Sequence, residues 1–240
     1  MSSIENKNIV LITGKPNTGK SWSLINLEEQ EKIAYLNTDM KQIPFKSKLL
    51  ERYIVNPYDV LNAVGDIEQH PDINMAVLDT ISFLMDQVEQ QYVLNSRNTQ
   101  KAWQDYASFY KQLIHAIKSG TKDYVILAHA KDVMNESEMI METKIPIKGS
   151  IGHTGAEADF STILGTKKIS ISEAEKWEND LLTISDEERE DGVKYVFQTR
   201  IDKNTIGEKM RSQQGLWSRQ EKYINNDIKQ VFDRLHTYYN

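Results

Sequence analysis

The sequence predicts an α/β fold in which a mostly parallel central sheet is covered by helices on both faces. Short apolar runs rich in β-branched residues alternate along the chain with segments whose apolar residues recur at helical spacing. A glycine-rich motif directly follows the first apolar run. The length of 240 residues suits one sizeable core, so we expect a single domain over residues 1–240.

The predicted strands are short runs that are apolar throughout, which is typical of parallel strands covered on both sides. Buried strands are expected at 8–13, 33–37, 53–55, 75–79 and 124–128. Two more are expected at 160–171 and 193–201, the second after an Asp191-Gly192 turn. The strands up to residue 171 form a predicted core at 8–171, and 172–240 is a C-terminal extension.

Helices are predicted where apolar residues recur every three or four positions. These segments are 22–32, 58–69, 99–119 and the closing helix 223–238. Gly120 is expected to end the long third helix. Two stretches show no clear period: we expect a mobile loop at the polar segment 131–155 and a solvated excursion at the acidic segment 173–191.

Composition narrows the class of protein. The chain has no cysteine, which excludes disulfides and thiolate metal sites and favours a reducing cytoplasm. No apolar run is long enough to span a membrane, and residues 1–8 lack the apolar core of a secretory signal. The net charge of -6 argues against indiscriminate coating of nucleic acid, although a local basic groove stays compatible with it.

The glycine-rich motif fits the pattern G-x-x-x-x-G-K-[ST] between a predicted strand and a predicted helix, which is the context this motif requires. The residues expected to bind phosphates are Gly14, Lys15, Pro16, Asn17, Thr18, Gly19, Lys20 and Ser21. The two glycines permit close backbone approach, so that main-chain N–H groups can face the phosphates. Lys20 would place its charge on the β- and γ-phosphates, and Ser21 would give Mg²⁺ a hydroxyl ligand. The motif therefore predicts ATP bound with Mg²⁺.

Two carboxylates follow predicted strands. Asp79 lies at the edge of the sheet where ligands bind, and we expect it to hold Mg²⁺ through water. Its alternative role is an N-cap for the helical segment that starts at Thr80. Asp39 could polarise the attacking water, and it could equally be a helix cap or a turn former.

His129 follows the predicted strand at 124–128. A neutral imidazole there can donate a hydrogen bond to a γ-phosphate oxygen and so respond to its loss. The other histidines of the five lack such a position, and without cysteine they form no convincing metal cluster.

The order of these motifs resembles the RecA-like ATPase core, and more closely the small phage RecA-like NTP-binding proteins associated with single-strand annealing and recombination. The resemblance covers about residues 8–171. It implies that Asp39 is the catalytic base, in the place where the family has glutamate, and that Asp79 belongs to the second acidic motif. The strand with the γ-phosphate sensor ends in Ala128-His129, as in the phage relatives, where RecA-like proteins have Asn-Gln.

The resemblance also implies partners. It places DNA-facing loops at 94–100 and 131–148, so single-stranded DNA is the expected ligand, with ATP state coupled to DNA binding. It implies a homo-oligomer in which a basic residue completes the neighbouring site, and the candidates are Lys167, Lys168, Arg200 and Lys203. A ring or looser oligomer is favoured over a filament, because no polymerisation strand is evident ahead of the core. A phage-encoded chain would act in the cytoplasm of its host cell.

The sequence is also compatible with other functions, to different degrees. A nucleotide-switched oligomeric interaction or packaging factor without direct DNA contact is the main alternative. A small-molecule kinase is disfavoured because no arginine occurs between Lys131 and Lys168, where its lid would lie. A GTPase is disfavoured because the chain has no guanine-reading Asn-Lys-x-Asp motif.

Overall fold

The computed structural model describes residues 6–239, so part of the expectation for the N-terminal eight residues lies outside it. Within the described range the strands are β1 Ile9–Gly14, β2 Ile33–Asn37, β3 Leu50–Tyr53, β4 Met75–Asp79, β5 Asp123–His129, β6 Lys131–Asn135, β7 Ile140–Lys144, β8 Thr162–Ser170, β9 Val193–Gln198 and β10 Tyr223–Asn225. All but β6 and β7 form one eight-stranded sheet, in the order β10-β9-β8-β1-β5-β4-β2-β3. All neighbouring strands between β3 and β8 in this order are parallel. The β8–β9 and β9–β10 pairs are antiparallel.

The helices of the described range are α1 Asp59–Gln69, α2 Ile81–Val88, α3 Thr99–Lys118, α4 Gly149–Thr154, α5 Ile171–Ala174, α6 Asp186–Asp191 and α7 Ile228–Tyr239. A π-helical turn, Glu89–Val93, extends α2. The Asn98 side chain accepts a hydrogen bond from the Lys101 N–H and so caps α3. No helix in residues 6–239 is long and apolar enough to cross a membrane.

Alternate residues of β1 enter two separate cores, because successive side chains of a strand point to opposite faces. Ile9 and Leu11 pack with α1, α2 and α3 on one face of the sheet. Val10 and Ile12 pack with α7 on the other face. The predicted α/β fold, with helices on both faces, C-terminal strands and a closing helix, is confirmed.

The helix predicted at 22–32 is wrong. The segment contains only two 3-10 turns, Ser21–Leu24 and Gln30–Lys32. Leu24 and Leu27 are buried in the core beside α7, and their spacing suits irregular backbone as well as a helix. Glu29 has a left-handed φ of 45°, which an α-helix cannot contain.

Two other boundaries were predicted wrongly. The edge strand β3 ends at Tyr53 and does not run over 53–55. All of its residues are exposed, so it lacks the apolar pattern that marks a buried strand. At the C-terminus, residues 223–225 form β10, and the closing helix begins only at Ile228. Pairing with β9 decides this boundary, because it draws Tyr223 and Ile224 into the sheet.

The loop expected at 131–155 is instead an antiparallel hairpin, β6–β7, followed by α4. A distant segment supports the hairpin: the Thr143 N–H donates to the Gly207 carbonyl at 2.9 Å. A side chain at Gly207 would collide with the Met141 carbonyl, at 1.9 Å, so the two segments can meet only at a glycine. The stretch 173–191 is also more ordered than expected, because it contains α6 and buries Leu182.

Candidate functional site

The carboxyl ends of β1, β2, β4 and β5 meet at one edge of the sheet. The register places Gly14 beside His129 and Asn37 beside Asp79. A cavity of about 540 Å³ lies at this edge. The sequence-predicted site residues that line it are Pro16, Asn17, Gly19, Lys20, Ser21, Asp39, Asp79 and His129. Gly14, Lys15 and Thr18 belong to the same loop but line a separate cavity on its other side.

The phosphate-binding loop has a backbone that only certain residues adopt easily. Asn17 and Gly19 have φ values of 61° and 92°, in the left-handed region that asparagine and glycine tolerate best. Gly14 packs so closely that a Cβ would lie 1.9 Å from Thr166 Oγ1. The loop is therefore pressed against β8, and its sequence is required by packing as well as by ligand chemistry.

Lys20 lies at the centre of this loop. Its ammonium group donates to the main-chain carbonyls of Gly14 and Lys15, each at 2.9 Å. Burial lowers the pKa of Lys20 to about 8 because removal from water disfavours the charged form. A bound phosphate would give this buried cation the anionic partner that the carbonyls replace only in part.

Asp79 is buried and accepts hydrogen bonds from the Ser21 hydroxyl, at 2.7 Å, and from the Tyr35 hydroxyl. Burial raises the pKa of Asp79, and these two hydrogen bonds oppose the shift. The N-cap role considered for Asp79 belongs to Thr80, whose hydroxyl accepts from the Phe83 N–H at 3.3 Å. The hydroxyl and carboxylate oxygens of Ser21 and Asp79 are the ligand type that Mg²⁺ prefers.

Asp39 follows β2 in a bend that Asn37 stabilises. The Asn37 side chain accepts from the Met40 N–H at 3.0 Å and donates to the Lys41 carbonyl at 2.6 Å. The turn-forming role considered for Asp39 is therefore carried out by Asn37. Asp39 Oδ1 is buried without a hydrogen-bond partner among residues 6–239, and Oδ2 lies 3.3 Å from the Lys41 ammonium.

The His129 ring faces Asp39 across the cavity. Its Nε2 lies 3.9 Å from Asp39 Oδ2, and it too is buried without a hydrogen-bond partner in the described part of the chain. Phe83 packs edge-on against the ring, with the centroids 5.2 Å apart, and the His129 main-chain N–H donates to the Ser82 hydroxyl at 3.0 Å. Of these two α2 side chains, Phe83 contacts the imidazole and Ser82 holds the backbone.

Several residues that line the cavity were not predicted from the sequence, among them Trp22, Lys41, Pro44 and Tyr195. Trp22 is 49% exposed and directly follows the motif, so its position could have been noticed. Tyr195 is 37% exposed and comes from β9, in the C-terminal extension. It packs so close to the loop that a Cβ at Gly19 would lie 3.3 Å from its ring. No sequence pattern links Tyr195 to the loop, because only the folded sheet brings them together.

The C-terminal extension also holds the loop directly. The Asn226 amide donates to the Gly19 carbonyl at 2.8 Å, and the Asn26 amide donates to Asp227 at 2.9 Å. These contacts fix the irregular segment that follows Lys20. Asn226 was not predicted, because it lies within the segment 223–238 that was expected to be the closing helix.

The four basic residues expected to act on a neighbouring subunit lie in β8 or in the segment after β9. Lys167 pairs with Glu208, and the Arg200 guanidinium donates to the Trp217 carbonyl at 2.8 Å. The Lys168 ammonium lies 5.4 Å from the centroid of the Tyr195 ring, and Lys203 is exposed. Whether any of them acts on a second subunit stays a prediction.

The two segments expected to face DNA are connected. The first, 94–100, links the π-helical turn Glu89–Val93 to α3. Lys148, at the end of the second, pairs with the buried Glu89 at 2.7 Å. At the other end of the second segment, Asp132 pairs with Lys15 of the phosphate-binding loop at 2.5 Å. One chain of contacts therefore joins the loop, the hairpin and the 94–100 segment.

The model of one protein family, described as an AAA domain, matches residues 6–154, which is more than half of the chain. A comparison with curated proteins found no match. The matched span includes the phosphate-binding loop, Asp39, Asp79 and His129, and it ends before β8. Nucleotide hydrolysis is the activity that such a domain indicates. The chain therefore belongs to the AAA domain family, and its domain is of the P-loop ATPase type.

Proposed function

We propose that the protein binds ATP with Mg²⁺ and hydrolyses it at the cavity beside the phosphate-binding loop. One observation supports this most directly. Asp39 Oδ1 and His129 Nε2 are both buried, and neither has a hydrogen-bond partner within residues 6–239. Buried polar atoms usually have a hydrogen-bond partner, and a ligand, an ion or an ordered water supplies it where the protein does not. A terminal phosphate and an attacking water would supply the missing partners.

The metal would be held by Ser21 and, through water, by Asp79. No group of three or more His, Cys, Asp or Glu side chains in the described range is placed to bind a metal by itself. The oxygen ligands at Ser21 and Asp79 suit Mg²⁺ that arrives with the nucleotide. When bound there, the ion would neutralise charge on the β- and γ-phosphates.

The polarity of the cavity sets the direction of the nucleotide. Its lining includes the charged side chains of Lys20, Asp79 and Asp39 and the aromatic rings of Trp22 and Tyr195. The phosphates would bind at the charged residues, which leaves the aromatic rings for the base, where stacking is favourable. Tyr195 lies outside the family match, and the C-terminal extension thus contributes to nucleotide affinity.

We further propose that the nucleotide state controls single-stranded DNA binding, in recombination or strand annealing of the phage type. The support is the chain of contacts from Lys15 through Asp132 to the hairpin, and from Lys148 to Glu89 beside the 94–100 segment. Any shift of the phosphate-binding loop on ATP binding would move both segments. Arg97 and Lys101 offer cations for phosphates at the first segment.

A protein partner in place of DNA is the second candidate. The hairpin exposes Met134, Met139 and Met141, which are 45%, 75% and 55% accessible. Exposed methionines are typical of adaptable protein-binding surfaces. The segment 131–148 also carries more acidic than basic residues, which weakens phosphate binding. In this case the protein is a nucleotide-switched oligomeric interaction or packaging factor.

Phosphate release measured with Mg²⁺-ATP, with and without single-stranded DNA, tests the two proposals together. We expect turnover that requires Mg²⁺, disappears in Lys20→Ala and rises with DNA. Anisotropy of a labelled oligonucleotide should show tighter binding with a non-hydrolysable ATP analogue than with ADP. If the protein hydrolyses ATP but binds no DNA at low salt, with either the ATP analogue or ADP, the nucleotide-switched interaction factor would be the remaining function. Absence of turnover in every condition would contradict the ATPase proposal itself.

A further inference from the structure

Lys41 brings a second cation to the cavity. It lies on the connection between β2 and β3, and its ammonium group is 3.3 Å from Asp39 Oδ2. It is also 5.1 Å from the centroid of the Phe83 ring, whose edge packs against His129. The Lys41 and His129 side chains thus lie 3.3 Å and 3.9 Å from the Asp39 carboxylate, and Phe83 contacts each of them.

Lys20 and Lys41 differ in how far each is exposed to solvent. Among the described residues that line the cavity, Lys20 and Lys41 supply the permanent cations, and no arginine lines it. Lys20 is buried in the loop and bonded to main-chain carbonyls. The Lys41 side chain is 69% exposed and mobile enough to follow a ligand. Their charges lie close enough for Lys41 to contribute to lowering the pKa of Lys20.

A structural ion pair with Asp39 is a weak explanation for Lys41. Exposed pairs of this kind contribute roughly 0–1 kcal/mol to stability. An ammonium group has three donors, so contact with Asp39 leaves others for a ligand. The cation–π contact with Phe83 holds the group at the Asp39 side of the cavity, where the terminal phosphate of a bound nucleotide would lie.

We propose that Lys41 is a catalytic residue that acts in cis, by binding the γ-phosphoryl oxygens and stabilising the charge of the transition state. The inference rests on the proposed ATPase function. In the reaction, a water oxygen bonds to the γ-phosphorus, and the bond from that phosphorus to the β–γ bridging oxygen breaks. The bridging electron pair leaves with ADP, and the water proton passes to Asp39. Lys41 supplies, from the same chain, the cation that the RecA-like resemblance assigns to a neighbouring subunit.

Steady-state kinetics of Lys41→Ala and Lys41→Arg test the inference, with Lys46→Ala as the matched control. Lys46 is exposed on the same connection and is not among the described residues that line the cavity. We expect kcat of Lys41→Ala to fall by about 10²-fold or more, as for other cations at phosphoryl-transfer sites. Arginine should restore part of the loss, and the control should match the wild type.

Binding measurements separate catalysis from simple affinity. Affinity for a non-hydrolysable ATP analogue should change by about 3-fold at most in Lys41→Ala, whereas affinity for ADP with aluminium fluoride, which mimics the transition state, should fall roughly as kcat does. Equal losses for both ligands would overturn the inference, because Lys41 would then bind the ground state and the transition state equally well. Unchanged turnover in Lys41→Ala would also overturn it.

Mixed subunits decide between cis and trans action. Lys41→Ala subunits mixed with Lys20→Ala subunits should stay inactive, because each active site would still lack one of its cations. Recovery of activity would place Lys41 on a neighbour's site and overturn cis action. Wild-type protein without turnover would overturn both this inference and the ATPase proposal, whereas active wild type together with active Lys41→Ala overturns this inference alone.

Discussion

Asp39 and His129 face each other across the cavity, with Asp39 Oδ2 3.9 Å from His129 Nε2. Asp39 follows β2 and His129 ends β5, and β4 lies between these two strands in the sheet. Each also keeps one buried polar atom without a partner among residues 6–239. A carboxylate and an imidazole so placed suit a base and a phosphate sensor, and their roles can be separated by mutation.

Replacement of Asp39 by asparagine should separate hydrolysis from binding. Asp39→Asn keeps the shape of the side chain but removes the proton acceptor, so turnover should fall by ~10²-fold or more while ATP affinity is retained. Phosphate release and calorimetric ATP binding measure the two effects. Glu31→Gln, an exposed acid ahead of β2, is the control. Normal turnover in Asp39→Asn would assign the base to another residue.

Replacement of Lys20 by alanine should abolish nucleotide binding. The buried ammonium group is the cation at the centre of the loop, and no other described lysine bonds to the Gly14 and Lys15 carbonyls. Calorimetry with Mg²⁺-ATP should show no tight binding, while Lys111→Ala, on the exposed face of α3, should bind as the wild type does. Tight Mg²⁺-dependent binding by Lys20→Ala would remove the basis for the site.

His129 should transmit the nucleotide state to the hairpin. Only Ala130 separates it from β6, and the hairpin is also tied to the loop by the ion pair of Lys15 with Asp132. In wild type, protease cleavage within residues 131–155 should differ among ATP, ADP and no nucleotide. His129→Ala should reduce that difference, and His115→Ala, exposed on α3, should keep it. If the wild type shows no nucleotide dependence, the sensor hypothesis fails before any mutant is made.

Tyr195 should contribute to ATP affinity from outside the matched family domain. Tyr195→Ala removes the ring that we place against the base, and the dissociation constant should rise by about 10-fold. Tyr195→Phe should bind nearly as the wild type does, since the ring remains. Tyr53→Ala, on the exposed edge strand β3, controls for loss of a surface aromatic residue. An unchanged dissociation constant in Tyr195→Ala would place the base elsewhere.

Much of the fold could be predicted because each buried parallel strand is a short apolar run that can be recognised from adjacent residues. The apolar run of β4 and the glycine-rich loop after β1 each specify a structure through residues that are adjacent in sequence. The carboxyl ends of parallel strands share an edge, so Asp79 and His129 could be assigned to one site before their distances were known. The sequence therefore predicted the chemical type of the site.

Features that depend on distant residues could not be predicted. Residues 22–32 carry helical spacing, yet burial of Leu24 and Leu27 beside α7 and the contact of Asn226 with Gly19 select irregular backbone. The hairpin at β6–β7 is supported by Gly207, which no local pattern in 131–155 reveals.

The sequence by itself determined the α/β class, the phosphate-binding loop and the acids that accompany it, because each depends on neighbouring residues or on strand ends. Only the tertiary structure decided that Lys41 and Tyr195 complete the cavity, and that Asn37 forms the turn considered for Asp39. The physical reason is that these roles come from packing and hydrogen bonds between segments far apart in the chain. Such contacts exist only after the sheet has brought β2, β5 and β9 together.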